Sequence, residues 1–117
     1  MRYLFLVRQA PYRGVRSQEA LDLLLTLAAF DQAVDVMLLD DGVWQLHRGQ
    51  QPETLTQKNC AAMWQVLEMY GIQSPWVESE SLRERNLDTA DLVLPVRLVP
   101  RAKLAEVFRE YDRVLGD

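Results

Sequence analysis

Few side chains in this sequence could act as a nucleophile or hold a metal, and they lie apart. One cysteine, Cys60, and one histidine, His47, occur among 117 residues. No internal disulfide can form, and Cys and His alone cannot complete a zinc site. A nucleophilic cysteine needs its thiol pKa lowered by a helix start or a neighbouring cation. Cys60 instead shares helical spacing with Met63, Trp64 and Leu67, and Lys58 projects from another face, so a buried structural thiol is expected. His47 follows an apolar turn without an acid or nucleophile beside it and reads as a surface or interface residue. Asp40-Asp41 could hold a metal beside a phosphorylatable Asp ending the third strand, but that position reads Val77-Glu78, which leaves local turn hydrogen bonds as the expectation. The loop after the first apolar run carries only Gly14, so neither a dinucleotide fingerprint nor a P-loop is present. What remains is the stretch WVESESLRERNL, Trp76 to Leu87, where a short buried strand turns straight into a helix. In α/β domains that turn is where ligands and nucleophiles sit. Here it holds Glu78 and Ser79. The residues therefore predict no catalytic group, no metal and no cofactor.

The elements that would position these residues follow from hydrophobic pattern. Tyr3 to Val7 is a continuous apolar run, as expected of a strand buried on both faces of a parallel sheet. Ser17 and Glu19 supply an N-cap and a first-turn acid for a helix through Leu21, Leu24, Leu25 and Ala28. A second strand, Val34 to Leu39, ends in the turn signal Asp40-Asp41-Gly42. Val43, Trp44 and Leu46 follow as a mobile or partner-facing turn, with Gln45 and His47 exposed and Trp44 the foremost interface candidate. Thr54 to Tyr70 is a helix stopped by Gly71. After the third strand, Ser81 and Glu84 have capping-box spacing and Asn86 suits a left-handed exit. Leu92 to Val96 reads as a fourth strand, placed at an edge by Pro95. A last helix presents Leu104, Val107, Phe108 and Tyr111 on one face, and Arg113 to Leu115 closes as a minimal fifth strand. This alternation predicts one three-layer α/β/α domain over residues 1–117, with a mostly parallel sheet of about five strands.

Composition narrows the function classes. The net charge of −4 argues against grip on nucleic acid through clustered cations, and Arg83 and Arg85 are interleaved with Glu80 and Glu84. The apolar run at the amino terminus is too short for a membrane span or a signal segment, so a soluble cytoplasmic chain is expected.

Two stretches, DDGVWQLHRGQ (Asp40 to Gln50) and WVESESLRERNLD (Trp76 to Asp88), resemble in order and spacing the DsrE/DsrF-like sulfur-relay family, and within it the TusC/DsrF type of subunit. The likeness runs along nearly the whole chain. It implies a DsrE/DsrF-like fold and a place beside TusB-like and TusD-like subunits in a heterohexamer. Such a complex passes persulfide sulfur between carrier proteins toward the 2-thio group of transfer-RNA wobble uridine, or serves dissimilatory sulfur oxidation. In that family the sulfur-carrying cysteine belongs to the TusD/DsrE-type subunit, where the third main strand meets its helix. The matching position here is Glu78, and a carboxylate cannot carry a persulfide. The resemblance thus implies a non-catalytic, structural subunit of a sulfurtransferase complex. Two alternatives stand beside it: a sulfur carrier using Cys60, and a stand-alone signalling module of receiver type.

Overall fold

The computed structural model describes residues 1–9, 22–24, 26, 33–48, 69 and 71–116. Five strands, β1 (Arg2–Val7), β2 (Ala33–Leu38), β3 (Trp76–Glu78), β4 (Arg97–Val99) and β5 (Arg113–Gly116), form one sheet in the order β4-β3-β2-β1-β5. Every pairing is parallel. β1 from Leu4 onward and β2 apart from Asp35 are apolar on both faces because both faces are covered. Phe5, Val7, Val34, Val36 and Leu38 point into one core, and Leu4, Leu6 and Met37 point into the other.

The three layers follow from chain handedness. β1 to β4 progress in one direction across the sheet, and the chain then crosses back to lay β5 on the far side of β1. Right-handed crossovers put helices of the outward progression on one face and the returning helix on the other. The structure agrees. Leu24, from a helical stretch at 22–24, and Leu82 of α1 (Ser79–Glu84) pack into the first core, while Val107 of α2 (Leu104–Phe108) packs into the second. Leu104, Val107, Phe108 and Tyr111 share one face against the sheet, as their spacing predicts.

Two elements differ from the sequence expectation. The fourth strand is Arg97–Val99 and not Leu92 to Val96. Leu92 instead forms an antiparallel bridge with His47, the Val93 N–H donates to the Leu46 carbonyl (2.9 Å) and the Arg48 N–H donates to that of Asp91 (3.0 Å). Backbone groups engaged there cannot also serve the sheet, and Pro95 has no N–H to offer. The segment after Asp41 is likewise no mobile turn but part of a 3₁₀ helix, Asp40–Leu46, held between the end of β1 and α1. The expected helices from Ser17 and from Thr54 to Tyr70, Cys60 included, lie outside the described residues, except for Leu24 and its neighbours and for Met69. Gly71 and Asn86 have φ of 80° and 55°, the left-handed geometry expected of each.

The turn after the third strand

Glu78 ends β3 and is the N-cap residue of α1, with its side chain 2 % exposed. A buried carboxylate requires a cation and hydrogen-bond donors, because desolvating an unpaired charge costs several kcal/mol. Both are present. The Arg101 guanidinium donates to Glu78 Oε1 at 2.7 Å, and the Ser81 hydroxyl donates to the same oxygen at 2.6 Å. Ser81 is itself fully buried and accepts the Asp40 N–H at 2.8 Å, which ties the turn after β2 to the turn after β3. The spacing-based capping box of Ser81 and Glu84 is therefore absent. Ser81 serves Glu78, and Glu84 serves Arg101.

Around this centre the charges form a continuous chain. Arg101 Nη2 lies 2.9 Å from Glu84 Oε1, Arg85 lies 3.7 Å from the same oxygen, and Arg85 donates twice to Asp41 Oδ1, at 3.1 and 3.0 Å. Glu80 accepts the Ser79 hydroxyl at 2.7 Å and the Arg101 backbone N–H at 3.0 and 3.1 Å. The Ser79 hydroxyl, then the Arg101 N–H, hold the Glu80 carboxyl below the usual carboxylate range. Its hydrogen bond to Arg101 does the same for Glu84, and pairing with Glu78 and then Glu84 raises the pKa of Arg101 itself. Every group at this turn is an acid, a hydroxyl or an arginine. None can form a persulfide.

The residues after Asp41 are positioned by close backbone approach. A Cβ on Gly42 would lie 1.9 Å from the Val7 carbonyl oxygen, so only glycine lets the 3₁₀ helix seat against the end of β1. That seating drives Val43 and Leu46 into the chain's own core at 0 % exposure, which corrects the expectation that they face a partner. Gln45, expected outside, is also buried, and its Nε2 donates to the Gln9 carbonyl at 3.1 Å. Trp44 alone of the three interface candidates is half-exposed, edge-on to the His47 ring at 5.3 Å between centroids. Among the described residues, no group of three or more His, Cys, Asp or Glu could hold a metal ion.

A second polar cluster, unforeseen in the sequence, occupies the opposite end of the sheet. Asp35, in β2, accepts the Tyr111 hydroxyl at 2.5 Å, and Tyr111 in turn accepts the Trp76 indole N–H at 3.0 Å. The Arg97 guanidinium stacks 4.3 Å above Trp76 and that of Arg2 4.8 Å above Tyr111. Burial, then the Asp35 carboxylate, raises the Tyr111 pKa.

Similarity to known proteins supplies the family. Residues 1–116 match the DsrE/DsrF-like family. A TusC homolog of Pseudomonas aeruginosa is 40 % identical over 96 % of this chain and 94 % of its own. The intracellular sulfur oxidation protein DsrF of Allochromatium vinosum is 35 % identical over 98 % of this chain and 95 % of its own. The crystal structure of the ychN protein from E. coli superposes over the full length of both chains with a TM-score of 0.81 at 22 % identity, which is a likeness of fold. Matched in sequence from end to end and in fold throughout, the chain belongs to the DsrE/DsrF-like family.

Proposed function

We propose that this chain is a non-catalytic subunit of a sulfur-relay complex. It assembles with TusB-like and TusD-like subunits into a heterohexamer that passes persulfide sulfur toward 2-thiolation of transfer-RNA wobble uridine. The observation that carries the reading is the occupied turn. Glu78, which the family resemblance matches to the sulfur-carrying cysteine, is a buried glutamate already paired with Arg101 and Ser81. Its relatives named TusC homolog and DsrF support a relay role of this kind. Trp44, half-buried in the 3₁₀ helix, is the aromatic side chain assigned to meet a sister subunit.

Co-expression with TusB-like and TusD-like chains, followed by native mass measurement, tests the assembly. One particle containing all three chains is expected, and separate elution of this chain would overturn the reading. The DsrF relative favours a second destination for the sulfur, dissimilatory oxidation. Loss of 2-thiouridine from transfer RNA on deleting the gene decides for thiolation, and unchanged 2-thiouridine decides for oxidation. A cytoplasmic location belongs to the same proposal. Among the described residues no helix is long and apolar enough to cross a membrane.

A further inference from the structure

We propose that Ser81 and Arg101 form a small-anion pocket at the end of β3, filled in this chain by its own Glu78 carboxylate. Two donors from separate elements converge on one oxygen. Ser81 reaches Oε1 from within α1 at 2.6 Å, and Arg101, from the turn after β4, reaches it at 2.7 Å. The hydroxyl is fixed from behind by the Asp40 N–H, and the guanidinium is fixed by Glu84. The donors are thus oriented by groups other than the anion they hold, which is what separates a built anion site from a chance ion pair. α1 has only six residues, so side chains and not a helix dipole make the site. Arg101 is 48 % exposed while Glu78 is 2 % exposed, so the cation spans from solvent to the buried carboxylate.

The ligand class follows from the shape of the plug. Beyond its Cβ, glutamate carries CH₂–COO⁻, which is acetate less one hydrogen, so the pocket is sized for a carboxylate-like monoanion. The purpose assigned to the plug rests on the relay reading: a site already holding its own anion does not capture a persulfide handed between other subunits. The pocket itself rests only on the geometry. Failure of the test below would remove the pocket and leave the assembly reading, tested by native mass, standing, and the reverse also holds.

The test is chemical rescue in the full chain, alone or in whatever assembly it forms. Glu78→Ala deletes the plug, and its melting temperature is followed in sodium acetate against sodium chloride at equal ionic strength. A saturable rise in acetate alone is expected, absent from the native chain and from Glu78→Ala combined with Arg101→Gln. Equal melting in the two salts, or a rise that survives Arg101→Gln, overturns the pocket. Should Glu78→Ala fail to fold in either salt, the isosteric Glu78→Gln decides through a double-mutant cycle. Arg101→Gln is then expected to lower melting sharply in the native background and little in the Glu78→Gln background. Additive losses overturn the proposal.

Discussion

The sheet carries an acid at each end, Glu78 buried and Asp35 half-buried, and the two are held differently. At the carboxyl end of the strands, Glu78 takes a serine hydroxyl at 2.6 Å and an arginine at 2.7 Å on a single oxygen. Toward the amino end, Asp35 takes a tyrosine hydroxyl at 2.5 Å, but its arginines stay 3.7 and 3.8 Å away, stacked on Trp76 and Tyr111. The first arrangement holds an anion by direct charge. The second spends its arginines on aromatic faces and fastens the segment before β5 to the sheet, with Arg2 donating to the Glu110 carbonyl and the Arg2 N–H to Asp112. The difference separates a binding geometry from a packing geometry built of similar residue types.

The largest effect is expected where the carboxyl end depends on backbone contact. Gly42→Ala forces a methyl into the Val7 carbonyl, and since neither backbone can give way cheaply, a loss of about 3 kcal/mol or more is expected in denaturant unfolding. A loss below about 1 kcal/mol would mean that the 3₁₀ helix does not seat as described. Next comes Trp44→Ala, which should weaken assembly with sister subunits by about 2 kcal/mol while the chain stays folded. Unchanged assembly would make its half-burial a matter of this chain's own packing. Tyr111→Phe removes hydrogen bonds to Asp35 and from Trp76 while keeping the ring, so about 1–2 kcal/mol should be lost at the amino end, and acetate rescue at position 78 should be unaffected.

The smallest effects are in pH dependence, and they set the two ends apart again. Glu80 and Glu84 have lowered pKa values in the folded chain, so the stability they contribute is present above the ordinary carboxylate pKa of about 4.3. It is lost as pH falls through their folded values. Tyr111 has a raised pKa, so its contribution is complete below the ordinary value of about 10 and is lost as pH rises from there through the folded one. Acid unfolding should therefore respond to Arg101→Gln and alkaline unfolding to Tyr111→Phe. Interchanged responses would show that the two ends are coupled.

The strands at the centre of the sheet were legible because burial on both faces leaves an apolar run, as in Leu4 to Val7. The edge was not. Leu92 to Val96 has a strand's composition, yet its backbone partners are residues 46–48, and no local pattern announces a pairing across that separation. The same holds for the site. A glutamate ending a buried strand implies a cation, but nothing near it in sequence picks Arg101, 23 positions away, from the other arginines. Val43 and Leu46 look like a partner-facing patch until Gly42 is seen to bring their backbone against β1, a role that a glycine in an Asp-Gly pair hides behind its ordinary use in turns.

The measurement that bears most directly on the non-catalytic reading is intact-mass analysis of every subunit after the assembled complex is treated with a persulfide donor. The account predicts added sulfur on the TusD-like subunit and none on this chain, with transfer unchanged by Cys60→Ala. Sulfur bound at Cys60, lost together with transfer in Cys60→Ala, would contradict it and make this chain a carrier in its own right.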